Sequence, residues 1–594
     1  MAGKAVDWRL FVVVYALTAA AFAARALYNA GSVPLLADTD DAMRLVVVRD
    51  LLSGQGWYDV VQHRLNTPFG AELHWSRLAD LPLAGLIQLL GPFLGDGAET
   101  VAAFVLPLLL LLPLLWLSAR LAATLAGREA VLPALVLPAF ALSVTSEFAP
   151  GRIDHHGLQI LLLLAMTWFS VEALARPRFA IWAGVAAATS IALGVEGLPS
   201  VAAAILAFGL MWVASPEHAA TMRAFGVSFA AATLLHLAIA LPPERWLAPA
   251  CDAISLTYAA AALGVGAAFV ILSVLPLGGV SFRRRALAGA IAGVLLVVLL
   301  ALLFPVCLGG PYAALDPWLK EAWLSRITEA ASLIDHLRAE PAYSLAVTVP
   351  LLVALGATSL RLWRGPPDGR GQWLVYAVFL GLAVVTMLVQ VRASRMATPL
   401  AIPACAWLVV LARRRYLERR TATRAALLAL VWAASAGVAV GLPVVLAVNA
   451  LQTNTPGSPA LADLEDEREC RMPEAFAALA ALPPQRVMSP IDLGSHLLAF
   501  TPHEVVAAPY HRNEAGVRDA LNFFNRPIEE GRAILDGRGV SLVVICPALP
   551  ELAAREDSAA DSFVSLYRSG SLPNWLVEMS PEGALLRVYG VTEP

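Results

Sequence analysis

Charge is what this chain has least of. Only 15% of its 594 residues are Asp, Glu, Lys or Arg, and 59% are apolar. Soluble domains run at about a quarter charged. A mean hydropathy of +0.69 therefore excludes a cytosolic enzyme. The apolar content also excludes intrinsic disorder. Five cysteines are too few for a disulfide scaffold. A net charge of −3 gives no bulk attraction to nucleic acid, and no Lys/Arg block sits on a soluble segment, so no nucleic-acid partner is expected. There is no internal repeat, no low-complexity run and no Walker-type phosphate loop. Lysine is scarce too: the basic residues are nearly all Arg, which with abundant Ala and Leu points to a GC-rich bacterial genome.

What is present is a series of long apolar runs. A spanning helix needs about 20 largely apolar residues. Thirteen segments qualify, near 8–28, 100–120, 129–147, 157–175, 179–195, 199–215, 224–242, 255–276, 287–307, 343–361, 373–391, 396–412 and 425–448. The first lacks a small-residue cleavage site and is followed by further spans, so it reads as an anchor and not as a cleaved signal peptide.

Arginine sets the orientation. With the N-terminus in the cytoplasm, the inside segments carry Lys4 and Arg9, Arg120 and Arg128, Arg176 and Arg178, Arg223, Arg283 to Arg285, Arg361, Arg364 and Arg370, and the arginines of 413–424. Every inside loop is then basic. Thirteen spans put the C-terminus outside. The expected organisation is a membrane domain over 1–451 with external loops at 29–82 and 308–341. An extracytoplasmic α/β domain follows over 452–594. Its strand-like runs are SLVVIC (541–546) and EVVAAP (504–509), with helical stretches near 473–482 and 515–536. Cys470 and Cys546 both fall in this tail, where an oxidising compartment would permit a disulfide.

Polar residues near the outer face carry the chemistry. The first external loop opens with Asp38, Asp40 and Asp41. Three carboxylates this close repel one another unless a cation neutralises them, and a divalent metal would do so. They would equally serve as the acidic first turn of a helix over 42–52. His74 follows beside Trp75, either as interfacial packing or as a ligand. The next external loop, GRIDHHG (151–157), puts Asp154, His155 and His156 at a helix mouth. Burial there costs several kcal/mol unless these groups are paired or ligated. Asp154 and His156, two apart, can face one ion, or Asp154 can cap the helix. Two Asp oxygens with two His nitrogens suit Mn²⁺, with Mg²⁺ or Zn²⁺ also conceivable. Glu329 follows a short β-branched run in the large loop. Arg392 and Arg395 interrupt the positive-inside pattern. They either snorkel to the headgroups or anchor a phosphate through the guanidinium fork.

Together these pieces resemble the catalytic subunit of oligosaccharyltransferase, a GT-C fold membrane glycosyltransferase. That family has thirteen spans, a catalytic face outside the cytoplasm and a soluble C-terminal domain. Its first acidic motif, an Asp followed six positions later by Arg, is matched by Asp38 and Arg44 in DTDDAMR. Its second motif, Asp-x-acid or Asp-x-His, is matched by Asp154 and His156. The histidine that archaeal members use as a metal ligand is matched by His74. Its fifth external loop has a motif ending in Glu, matched by Ile327, Thr328 and Glu329 in RITE. The Arg opening its twelfth span is matched by Arg395. The match covers roughly 8–448.

The tail departs from that family. The Trp-Trp-Asp-Tyr-Gly run that reads the acceptor sequon is missing. SPIDLGSHLL (489–498) keeps only Asp492 and Gly494, and PYHRN (509–513) follows with His511, Arg512 and Asn513 as a polar loop. The resemblance implies a polyprenyl-phosphate or polyprenyl-pyrophosphate sugar donor, drawn from the bilayer, and inversion at the anomeric carbon. It further implies Mn²⁺ or Mg²⁺ on Asp38, His74, Asp154 and His156. The donor phosphate would lie against Arg395, Arg392 and His155. Asp38 and Glu329 would act on the acceptor nucleophile, and Asp492, His511, Arg512 and Asn513 would bind a protein or glycan acceptor. The location implied is the bacterial inner membrane, with the tail in the periplasm. Other classes are a transporter of the same lipids, which would put essential charges at the bilayer midplane, and a non-catalytic scaffold.

Overall fold

A computed structural model describes residues 6–277, 279–452, 467–553, 558–581 and 583–592. Ten helices among the described residues are long and apolar enough to cross a membrane, and the pair Ala422–Ser435 and Gly437–Ala447, bent by 84°, makes an eleventh if it is one span. The chain is a multi-pass membrane protein. Phe282–Leu303 shows the solvent it is built for: of its 22 residues only Arg285 is buried. An apolar helix exposed all round is stable in lipid, where lipid tails are as apolar as its side chains.

Two expected spans take another form. The run at 129–147 breaks into Val131–Val136, the 3-10 turn Leu137–Phe140 and Leu142–Glu147. Pro133 and Pro138 lie in the first two pieces, and each proline removes a backbone donor from the ladder. The run at 179–195 is a helix of 15 residues, Phe179–Leu193, ended at Gly194. Conversely, Arg77–Leu94, read above as partly loop, is an apolar helix. It joins Ala98–Ala126 through the turn Gly95–Gly97.

The tail forms a five-stranded mixed sheet. We number strands in chain order: β1 Val61–Gln62 and β2 Ala71–Glu72 form a small hairpin in the first external loop. The tail supplies β3 Arg486–Met488, β4 Glu504–Val505, β5 Leu542–Ile545, β6 Leu576–Glu578 and β7 Arg587–Val591. Their order is β4-β3-β5-β7-β6, with β4, β3 and β5 parallel and β7 antiparallel to both β5 and β6. β5, LVVI, is buried along its whole length, as a central parallel strand covered on both faces should be. The helical stretch expected at 515–536 is two helices, Glu514–Asn525 and Ile528–Arg538, parted at Pro527.

The tail and the first external loop share one hydrophobic core. Ala42, Met43, Val46 and Val47 of helix Thr39–Leu52 pack with Leu497, Val505 and Val544. Arg64 donates to the carbonyls of Leu498, Thr501 and His503. Two disulfides lock the outer segments. Cys470–Cys546 ties the start of the tail to the end of β5, and Cys251–Cys307, which sequence reasoning did not anticipate, ties two inter-helix segments. Cys405 is free and buried. Replacing Cys470 and Cys546 together by Ser should lower stability by roughly 2–5 kcal/mol, read as an earlier thermal midpoint in detergent. An unchanged midpoint would show that the bridge constrains nothing.

Candidate active site

The site begins with a turn. Gly151, at φ +93°, sits so close to the Leu35 carbonyl that a Cβ would fall on its oxygen. Only glycine takes this conformation freely and leaves that space. The Gly151 N–H donates to the Ala103 carbonyl at 3.0 Å. The next residue, Arg152, is thereby aimed into a group of acids.

Its guanidinium is the centre of the cluster. Nη1 lies 2.7 Å from Asp38 and 2.8 Å from Asp41. Nη2 lies 2.6 Å from Asp154 and 3.2 Å from Glu147. Asp41 also accepts the N–H groups of Ile153 and Asp154, at 2.7 and 3.0 Å, so helix Thr39–Leu52 clamps the turn. Asp38 caps that same helix by accepting from Asp40 N at 2.9 Å. Asp154 accepts from His156 N at 2.9 Å and holds His156 Nδ1 at 2.7 Å. The capping role and the cluster role of both residues therefore coexist.

Burial and mutual repulsion split the carboxylates. Burial is the largest influence on Asp38 and Asp154 and raises both, but Arg152 together with the Asp40 N–H and Arg395 at Asp38, and together with His156 at Asp154, more than offsets it, so both stay below the ordinary carboxylate range. Burial lifts Asp40 to about 7, with Asp38 and Asp154 adding to the rise. Asp41 is raised well above its ordinary value, chiefly by burial and despite Arg152.

A second arginine closes the far side. Arg395 Nε lies 3.1 Å from Glu147, and its Nη2 lies 2.5 Å from Glu329. Two cavities meet at Arg395. One, of about 360 Å³, has His156, Glu196, Tyr312, Arg392 and Arg395 among its polar groups and Phe379, Ala383 and Met396 among its apolar ones. The other is a groove of about 840 Å³ whose walls include Asp38, Asp40, Arg152, Glu329, Arg395, Arg471 and Asp492.

Known structures were compared with this architecture. No protein-family model and no curated protein matches the chain. Solved structures do. An archaeal oligosaccharyltransferase from Archaeoglobus fulgidus, solved with an inhibitory peptide and a dolichol-phosphate, superposes with a TM-score of 0.67 at 13% identity, covering 98% of this chain and 74% of that one. An oligosaccharyltransferase of the same organism, solved with zinc and sulfate, gives 0.60 at 13% identity, covering 98% and 73%. The arabinofuranosyltransferase AftD from Mycobacteria gives 0.50 at 16% identity, covering 100% and 42%.

The chain has the GT-C fold.

Within that fold, the expected residues separate into two groups. Asp38, Asp154, His156, Glu329 and Arg395 come together, and Arg392 lines the adjoining cavity. Glu147, Asp154 and His156 each bring one ligand atom within 4.8 Å of the others. That donor set of two carboxylates and one imidazole fits a divalent cation.

His74 is not among these groups. It lies between Trp75 and His511, its ring centroid 4.6 Å from that of His511, and its buried Nδ1 has no hydrogen-bond partner. Burial and the neighbouring His511 push it down to about 3, so it is a neutral packing residue here. His155 is not among the residues that line the cavity. Arg44 donates to its Nδ1 at 3.3 Å, and its Nε2 lies 3.5 Å from Glu196.

The tail loop is engaged rather than open. His511 and Arg512 grip Asp252 at 2.6 and 2.7 Å, and Arg512 also binds Glu72 at 2.8 Å. Asn513 is buried and donates to the Val506 carbonyl. His511 and Arg512 thus fasten the tail to Asp252 and Glu72, whereas Asn513 bonds within the tail and its buried Oδ1 has no hydrogen-bond partner. Asp492 does line the groove.

Sequence reasoning missed Glu147, Arg152 and Asp80. Glu147 ends a run read as a span, and Arg152 stands in a motif read for its Asp and His. Asp80 anchors a buried network: Arg44 Nη1 binds it at 2.5 Å, Arg77 approaches at 3.4 Å, and the Arg44 guanidinium covers the Trp75 ring at 4.3 Å. Arg44→Leu should cost about 3–5 kcal/mol, because it strips the main partner from a buried carboxylate. Arg414→Ala, which breaks an exposed pair with Glu129, should cost no more than about 1 kcal/mol. Thermal melts of the two variants test this contrast, and equal shifts would refute it.

Proposed function

We propose that this protein is a membrane glycosyltransferase that moves a sugar from a polyprenyl-phosphate or polyprenyl-pyrophosphate donor to an acceptor outside the cytoplasm. The observation that carries the reading is the meeting of an amphipathic cavity and a polar groove at one arginine, beside a buried acid cluster. A lipid phosphate needs apolar walls for its chain and cations at its head, and the cavity has Phe379 and Met396 with Arg392 and Arg395. An acceptor needs a water-accessible approach from the other side, and the groove supplies one. The similarity to an enzyme solved with dolichol-phosphate supports the donor class.

In this reading Arg395 and Arg392 hold the donor phosphate. Glu329 and Asp38 face the groove and would orient or deprotonate the attacking nucleophile. Attack from the groove on a sugar held in the cavity would be in line and would invert the anomeric centre. Glu147, Asp154 and His156 would hold a divalent ion, Mn²⁺ or Mg²⁺, which would supply Lewis-acid stabilisation of the leaving phosphate. The similar enzyme solved with zinc and sulfate supports a metal in this fold.

The acceptor reading turns on the tail. The N–H groups of Ile491 and Asp492 both donate to Glu551, at 2.6 and 3.0 Å, and no tryptophan pair lies beside them. This position is filled from within the chain, which favours a glycan or lipid acceptor over an asparagine-linked sequon. The cellular setting proposed is the bacterial inner membrane, with the N-terminus in the cytoplasm and the tail in the periplasm, an orientation that the arginine pattern supports. Both disulfides fall on segments that this orientation puts outside, which supports it.

The test is donor turnover by purified protein in detergent, with a panel of polyprenyl-phosphate sugars and Mn²⁺. Wild type should release polyprenyl phosphate. Arg395→Ala should lose about 10²–10³ in rate, as removal of a charge-stabilising donor does elsewhere. Asp154→Ala combined with His156→Ala should lose both turnover and Mn²⁺ binding in calorimetry. Undiminished turnover in both variants would sink the assignment.

A further inference from the structure

The acid cluster already contains a cation. Arg152 reaches Asp38, Asp41, Glu147 and Asp154 at 2.6–3.2 Å, through both terminal nitrogens. Two of the three side chains that converge as metal donors, Glu147 and Asp154, share its Nη2. A divalent ion drawn to those carboxylates would therefore sit against a like charge and lose part of its donors to it.

We propose that Arg152 is the resident counter-ion of the cluster and that it competes with a divalent cation for the same carboxylates, so that the site takes up metal as the guanidinium withdraws. This rests on the reading of Glu147, Asp154 and His156 as a divalent-cation site, and it adds a residue that controls when that site is filled.

Three observations support withdrawal over permanent structure. First, the guanidinium has somewhere to go, because Arg152 lines the groove of about 840 Å³. Second, its hold runs through the two terminal nitrogens alone, since the buried Nε has no hydrogen-bond partner. Third, the turn survives without the side chain. Ile153 and Asp154 are held through their backbone N–H groups by Asp41, and Gly151 by Ala103. Once the guanidinium leaves, Asp38, Asp41, Glu147 and Asp154 lose their shared cation, and of these four Arg395 pairs with Glu147 alone. That arrangement calls for a doubly charged ion.

The opposite possibility is a guanidinium that has replaced the metal for good. The two differ in what happens when Arg152 is removed. The experiment titrates the full-length protein in detergent with Mn²⁺ alone, by calorimetry and by thermal melting. Arg152→Gln should bind Mn²⁺ at least about tenfold more tightly than wild type, since a like charge beside the ion is gone. Its thermal midpoint should be lower than wild type without metal and should recover when Mn²⁺ is added, because the ion takes over the neutralisation. Arg152→Lys, which keeps the charge on a group that cannot bridge four carboxylates at once, should fall between the two.

Equal or weaker Mn²⁺ binding by Arg152→Gln would overturn the proposal, and so would a midpoint that Mn²⁺ does not restore. If Arg152→Gln does not fold, Arg152→Lys decides, and Mn²⁺ binding no tighter than wild type would overturn it. These readouts are independent of turnover. A protein whose Mn²⁺ affinity responds to Arg152 but which processes no donor would refute the transferase reading and leave this one standing.

Discussion

One guanidinium holds carboxylates from three parts of the chain. Asp38 and Asp41 come from the first external helix, Glu147 from the end of a broken span, and Asp154 from the turn before the next helix. None of these acids could be buried alone, because an unpaired charge in such a setting costs several kcal/mol. The convergence on Arg152 therefore constrains where three helices can end. Gly151 is the covalent expression of that constraint, since it brings the turn against the Leu35 carbonyl. Around this centre Arg395 adds a fourth segment through Glu147 and a fifth through Glu329.

The tail is part of the same construction. Helix Thr39–Leu52 presents Asp38 and Asp41 at its start and buries its apolar residues against tail side chains. Tyr510 hydrogen-bonds the Thr39 carbonyl at 3.1 Å and packs edge-on to Trp75, and His496 holds the Leu36 carbonyl at 2.9 Å. Asp252 then receives His511 and Arg512. A change in the tail is thus carried to the acid helix through packing and hydrogen bonds.

Much of this was legible because membrane physics restricts where polar residues can be. Acids and histidines at the outer mouths of spans had to be paired or ligated, so Asp38, Asp154 and His156 could be singled out, and Arg395 stood out by breaking the positive-inside pattern. The structure brings these four to one place. Glu147 was hidden because its run looked like an unbroken span, and only the prolines at 133 and 138 hinted otherwise. Arg152 was hidden because a basic residue in a motif of acids attracts no attention until its distances are known. His74 was misleading for the opposite reason. Its neighbours Trp75 and His511 surround it with rings, and a sequence offset does not say which way a loop faces. The tail loop 509–513 was polar, as noted, but His511 and Arg512 spend their charge on Asp252 and Glu72.

The central claim is that the cavity beside Arg395 receives a lipid phosphate whose sugar faces the acid cluster. It is tested most directly by photocrosslinking. A polyprenyl phosphate carrying a diazirine close to its phosphate would be irradiated with the full-length protein in detergent, and the labelled peptides mapped by mass spectrometry. The account predicts labels within 195–200 and 379–396, which line the cavity, and their loss when unlabelled polyprenyl phosphate competes. Labels spread over the lipid-facing helix Phe282–Leu303, unaffected by competitor, would contradict it.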